Sequence, residues 1–359
     1  MKSTYQIKIG TPFINYSLKK LKDFLKGQEL EYDETIDYSV NIVDENNFII
    51  ASGSLDKNII KCVAVSQEYR NEGLSSSIIS LLVNAATTQG ITKLFIYTKP
   101  FNESMFQQLG FYTIEKTQKI LLMENKKNGL DIFLNNLKND TNKYLETSNI
   151  KTNKIGCIVA NCNPFTNGHL YLMDTASKQC DLLHVFILSG SNKMFKEEER
   201  IKLVKDGLKT YKNIIIHSAK DYILSPLTFP NYFIKDKKQT SIINCELDIK
   251  IFMDKIVPLL NITHRFVGTE PSDLVTNSYN NELIKALNQS KIELVIINRK
   301  EIDKEAISAS KVRKCIETKD FDKIYEFVPQ STYDFIINKF SKPLVQKNGP
   351  VDYLSGFTL

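Results

Sequence analysis

The sequence contains no tryptophan, four histidines and six cysteines in 359 residues, and each scarcity narrows what the chain can be. Cys62, Cys157, Cys162, Cys180, Cys245 and Cys315 are scattered with no C-x-x-C pair, which argues against a disulfide framework and a zinc ribbon. Cys157, Cys162 and His169 lie close together, but their spacing fits no common zinc pattern, and Cys157 falls within an apolar run that reads as core. No protein-built metal site is expected. No stretch approaches the roughly 18 to 20 apolar residues of a membrane-spanning helix, and Met1–Thr11 lacks the apolar centre of a signal peptide. No membrane partner and a cytoplasmic location follow as expectations. The chain has no G-x-x-x-x-G-K-[ST] segment, which excludes a P-loop as its nucleotide site. It also has no block of one charge. Its 47 basic and 41 acidic side chains are interleaved and leave a net charge of +6, so no nucleic-acid partner is implied.

Length favours two domains over one, and the hydrophobic pattern divides the chain accordingly. Residues 1–125 read as a mixed α/β unit. Strands are predicted at Tyr38–Val43, Asn47–Leu55, Ile59–Val65 and Leu94–Thr98, and helices at Leu18–Leu25, Ser76–Thr88 and Glu103–Leu109. Residues 126–152 are polar, rich in Asn and Lys, and carry a helical stretch at Leu130–Leu137; they read as the linker. Residues 153–341 alternate strand and helix. The strands are Ile155–Ala160, Leu182–Ser189, Asn213–His217, His264–Val267 and Leu294–Ile297, and the helices are Leu170–Gln179, Glu197–Leu208, Leu247–Leu260 and Asn281–Leu287. That alternation predicts a doubly wound, Rossmann-like parallel sheet with ligands at the carboxyl ends of its strands. Residues 342–359, with their Gly-Pro break, read as a flexible tail.

One segment falls at such a strand end. Asn163-Pro164-Phe165-Thr166-Asn167-Gly168-His169 follows the Ile155–Ala160 run and opens a helix. A helix N-terminus offers unpaired N–H groups and about half a positive charge. Gly168 lets backbone approach a ligand, and His169 can donate to a phosphate oxygen whose charge grows as pyrophosphate leaves. About 140 residues on, Ile307-Ser308-Ala309-Ser310-Lys311-Val312-Arg313 offers a second wall. There Ser308 is placed to cap a helix and Arg313 to fork onto phosphate oxygens.

The first segment resembles the T/H-x-G-H signature of the adenylyltransferase superfamily, and the second resembles its I-S-x-S-x-x-R signature. The resemblance implies an ATP site in which Thr166, His169 and Arg313 act at the phosphates. Asn163, Phe165, Gly168, Ser308 and Ser310 belong to the same site, and Lys193 and Arg200 are further candidate phosphate contacts. Mg²⁺ is expected with the triphosphate. In the first half, Arg70-Asn71-Glu72-Gly73-Leu74-Ser75, together with the later Leu109-Gly110-Phe111, resembles the pyrophosphate-binding loop and "GF" strand of GCN5-related acetyltransferases. Ser75 stands where that family has Gly or Ala, and no catalytic base is evident; Glu68 is only nearby. Arg70, Gly73 and Ser75 are therefore assigned to binding a coenzyme-A-like arm.

With Asn161-Cys162-Asn163-Pro164-Phe165, Thr228-Phe229-Pro230-Asn231-Tyr232-Phe233 and Gly268-Thr269-Glu270-Pro271, the resemblance extends to the citrate lyase ligase family over roughly residues 5 to 340. It implies an AMP-forming acid-thiol ligase that adenylates acetate with ATP. The acetyl group would then pass to the thiol of the prosthetic group on the acyl carrier subunit of citrate lyase. Asn163 and Glu270 lie near strand ends as candidates for holding acetate. Three other readings stay open from the residues themselves: an adenylyltransferase acting on phosphopantetheine, an acetyl-CoA-dependent N-acetyltransferase, and a binding module without catalysis.

Overall fold

The computed structural model describes residues 5–148, 150, 152–189, 194–223, 245–269, 274–287, 290–302 and 305–341. Among these residues the chain builds two large sheets and one small hairpin. The first sheet has seven strands in the order β1-β2-β3-β4-β5-β7-β6. They are β1 (Gln6–Gly10), β2 (Tyr38–Val43), β3 (Ile49–Asp56), β4 (Ile59–Val65), β5 (Phe95–Thr98), β6 (Tyr112–Lys116) and β7 (Leu121–Glu124). Its pairs are antiparallel except β4 with β5, which run parallel and pair only at Ile59↔Phe95 and Ile60↔Ile96. Beyond those two rungs the ladder between β4 and β5 stops, although β4 continues to Val65.

Helix α1 (Asn15–Gly27) packs on one side of this sheet through Leu21 and Leu25. Helix α2 (Leu74–Thr88) buries Leu74, Ile78, Ile79, Leu82 and Ala86, the i, i+4, i+8 stripe of a helix facing a sheet. Gly53 on β3 admits it: a Cβ there would fall 2.4 Å from Ile78 Cγ2. A short helix, α3 (Glu103–Gln108), precedes β6.

The second sheet is the doubly wound one. β8 (Ile155–Ala160), β9 (Leu182–Ile187), β10 (Ile214–Ser218), β11 (His264–Gly268) and β12 (Glu293–Ile297) pair in parallel in the order β10-β9-β8-β11-β12. Every residue of β9 is buried, as expected of a central parallel strand covered on both faces. The order reverses between β8 and β11, and that reversal marks the place where an open parallel sheet binds its ligand. Between the strands lie α5 (Asn167–Ser177), α6 (Glu197–Gly207), α7 (residues 245–260, with a π-helical turn at Phe252–Ile256) and α8 (Leu274–Leu287). After the hairpin β13 (Glu301–Ile302)–β14 (Glu305–Ala306) come α9 (Ala309–Glu317), α10 (Phe321–Phe327) and α11 (Gln330–Phe340).

The segment between the sheets is more than a polar connection. Helix α4 (Gly129–Ser148) occupies most of it and turns Phe133, Leu137 and Thr141 inward. One hydrophobic core runs from Leu21, Leu25 and Tyr97, through Phe133 and Leu137, to Phe186, Tyr222 and Ile251. A polar latch crosses the same junction. Tyr222 Oη donates to Glu124 Oε2 at 2.7 Å, and Glu124 Oε1 accepts from the Leu130 N–H at 2.8 Å. Lys93 lies over the Tyr222 ring, 3.8 Å from its centroid, and Lys250 pairs with Glu115 at 3.0 Å. Gly129 makes the approach possible, since a Cβ there would fall 2.1 Å from the Glu124 carboxylate.

Candidate functional site

β8 ends at Ala160, and the chain then turns tightly enough to place Cys162 at φ 48°. Asn163, Phe165 and Thr166 are buried in this turn. Thr166 is the N-cap of α5, and its Oγ1 accepts from the His169 N–H at 3.3 Å. His169 returns the bond, because its Nδ1 accepts from the Thr166 N–H at 3.1 Å and also lies 2.9 Å from Thr166 Oγ1. This is a capping box with histidine in the place usually taken by Glu or Gln. A ring nitrogen that accepts a backbone N–H carries no proton, so in the neutral ring the proton sits on Nε2. Burial, together with the positive charge of Arg299, holds the His169 pKa down at about 4. At neutral pH the imidazole is therefore an uncharged donor of fixed tautomer. Phe165 stacks against it, ring centroids 6.1 Å apart and planes 17° off parallel.

The second signature closes on the first. Ser308 caps α9, with its Oγ accepting from the Lys311 N–H at 3.3 Å. Arg313 Nη1 donates to the Asn163 carbonyl at 2.6 Å, and Nη2 donates to Ser310 Oγ at 3.0 Å. Gly168 is where the two motifs touch. A Cβ on it would lie 3.2 Å from the Ile307 carbonyl oxygen, so its missing side chain lets motif pack on motif. Thr166, Gly168, His169, Asn163, Phe165, Ser308, Ser310 and Arg313 are thus gathered at the carboxyl end of β8.

Arg200, expected at the phosphates, stands elsewhere. It is wholly buried, and its Nη1 donates to the Asn161 carbonyl at 2.8 Å and to Asn161 Oδ1 at 2.5 Å. Its α6 position turns it beneath the turn rather than out of it, so it acts on the loop backbone. Lys193, Glu270, Pro271 and Thr228–Phe233 lie outside the described residues. Arg299, two residues beyond the carboxyl end of β12, is not marked by any local pattern in the sequence. Among the described residues no group of three or more His, Cys, Asp or Glu side chains is placed to hold a metal ion. No described helix is long and apolar enough to cross a membrane.

In the first sheet, Gly73 sits at φ 76° as the N-cap of α2, a left-handed conformation that favours glycine. Asn71 is left-handed too, at φ 74°. Arg70 is exposed at the start of this turn, and Ser75 lies in the first turn of α2. Gly73 has no side chain with which to cap the helix, whose first N–H groups are of the kind that can face an anion. The turn leads from the carboxyl end of β4, on the side where β4 and β5 cease to pair.

These features define a class first: an α/β protein in which a mostly antiparallel seven-stranded sheet precedes a doubly wound, five-stranded parallel sheet. Residues 155–336 match the family described as the citrate lyase ligase C-terminal domain. The chain is 38% identical over 330 residues to the citrate pro-3S-lyase ligase of Escherichia coli (strain K12), covering 90% of this chain and 91% of that protein. It is 39% identical over 325 residues to the ligase of the same name from Haemophilus influenzae, covering 89% and 95%. A phosphopantetheine adenylyltransferase of Alkaliphilus oremlandii is 26% identical over 132 residues, covering 34% of this chain and 80% of that protein. The chain belongs to the citrate lyase ligase family.

Proposed function

We propose that this protein is an ATP-dependent ligase that activates citrate lyase by acetylating its acyl carrier subunit. An acetate oxygen attacks the α-phosphorus of ATP, the bond to the β-phosphate oxygen breaks, and pyrophosphate leaves. The prosthetic-group thiol, as thiolate, then attacks the acetyl carbonyl of the adenylate; the thioester forms and AMP departs. The work is that of an AMP-forming acid-thiol ligase, and a cytoplasmic location suits it. The triphosphate is taken as its magnesium complex, the ion belonging to the substrate.

The observation that carries this reading is His169 at the N-terminus of α5, its Nδ1 accepting from the Thr166 N–H, on the turn whose Gly168 packs on Ile307 of the second motif. In-line displacement at phosphorus needs no covalent enzyme intermediate, so positioning and charge stabilisation carry most of the catalysis. His169 Nε2–H donates to the phosphate oxygens that gain charge as pyrophosphate leaves. Thr166 fixes the ring, and the N–H groups of α5 and of α9 behind Ser308 face the same charge. Arg313 positions the turn through Asn163 and Ser310 and presents its charge to the phosphates from there.

The two-part architecture is read as a division of labour between residues 1–125 and 153–341, with 126–152 joining them. Arg70, Gly73 and Ser75 hold the pyrophosphate of the carrier's coenzyme-A-like arm, so the first unit guides the thiol rather than catalysing transfer. Arg70→Ala should raise the apparent KM for the carrier subunit and leave acetate-dependent ATP–pyrophosphate exchange intact. Loss of exchange in that variant would remove the guiding role.

A further inference from the structure

Arg299 belongs to neither sequence motif, and the reaction above gives it no task. It lies two residues beyond the carboxyl end of β12. Its N–H donates to Thr269 Oγ1 at 3.2 Å, and the Thr269 N–H donates to the Ile297 carbonyl at 3.0 Å, which ties together the turns leaving β11 and β12. The next residue, Lys300, accepts from the Ile307 N–H at 3.1 Å. Ile307 is the residue whose carbonyl packs on Gly168, and it immediately precedes the Ser308 cap of α9. Backbone contacts therefore link Arg299 in short steps to the His169 turn and to the start of the second-motif helix. The Arg299 side chain is half-buried, and burial lowers its own pKa. It stands near enough to His169 for its charge to disfavour the imidazolium.

Half-buried Arg299, on the turn joined through Lys300 to Ile307, the His169 donor on the turn that packs on Ile307, and the capped N-terminus of α9 are thus gathered at the carboxyl ends of the parallel strands. A carboxylate with one charge would engage only part of this set; a polyphosphate would engage all of it. We propose that Arg299 is a further phosphate-binding residue, holding the pyrophosphate half of the nucleotide between the α5 turn and the N-terminus of α9. This deepens the adenylation reading and rests on it for the identity of the ligand.

The test is direct binding of inorganic pyrophosphate with Mg²⁺, by calorimetry, to the full chain and to Arg299→Gln and Arg299→Lys. Loss of a charged hydrogen bond predicts about ten- to a hundredfold weaker binding in Arg299→Gln, with Arg299→Lys between. The KM for acetate in exchange should be unchanged, and the His169 pKa, followed by NMR, should rise from about 4 in Arg299→Gln. Unchanged pyrophosphate affinity in a folded variant overturns the proposal. A raised KM for acetate with intact pyrophosphate binding also overturns it, by assigning Arg299 to the carboxylate. Should Arg299→Gln not fold, Arg299→Lys keeps the charge, drops the fork, and must still weaken pyrophosphate. A wild-type protein that binds pyrophosphate through Arg299 but shows no acetate-dependent exchange would sink the adenylation reading and leave this assignment standing.

Discussion

At the residue scale the proposed chemistry rests on one proton. The Thr166 N–H fixes it on His169 Nε2, and burial and Arg299 keep the ring uncharged. His169→Ala should lower acetate-dependent exchange about a hundred- to a thousandfold, the usual cost of losing one donor to a developing oxyanion, with circular dichroism unchanged. With its pKa near 4, His169 should add no step near pH 6.5 to the pH profile of exchange. A second pair of imidazoles bears on stability. His184 Nδ1 and His217 Nε2 lie 2.9 Å apart inside the sheet, and burial lowers both pKa values, to about 3 and about 4, from the ordinary 6.5. The unfolded chain therefore takes up protons below pH 6.5 that the folded chain refuses. Stability present at pH 7 is lost as pH falls from 6.5 toward 4. Urea midpoints should drop over that window, and less steeply in the double variant His184→Gln, His217→Gln.

At the element scale the site is a turn and two helix starts. Thr166→Ala removes the α5 cap and should cost about 1 kcal/mol of stability by urea denaturation, alongside a loss of exchange that the stability change does not account for. The main elements were legible in the sequence because their hydrophobic periods are clean: Tyr38–Val43, Ile59–Val65 and Ile155–Ala160 coincide with β2, β4 and β8. Edge elements were not. β1 has four exposed residues in five and no buried stripe to announce it, and it exists because β2 offers it a partner. Of the site, the residues with a fixed local spacing could be read, because caps and helix starts are local events. Arg200 could not be placed, because a positive charge on a helix reads as solvated until tertiary packing turns it toward a backbone carbonyl. Arg299 joins the site only through pairing between the β11 and β12 turns, which no local pattern encodes.

At the scale of the whole molecule, the shared core is the feature composition hid. The Asn and Lys residues of 126–152 dominate its character, yet Phe133 and Leu137 on α4 tie both sheets into one apolar cluster. Phe133→Ala should cost about 3–5 kcal/mol and lower one calorimetric transition rather than split two. That shared core would give the proposed two-step chemistry its frame, with the adenylate made at one sheet and the thiol brought in by the other. The measurement that tests this account most directly is ATP–pyrophosphate exchange with Mg²⁺ and a panel of carboxylates and phosphopantetheine. The account predicts exchange that depends on acetate and disappears in His169→Ala. Exchange supported by phosphopantetheine but not by acetate would contradict it.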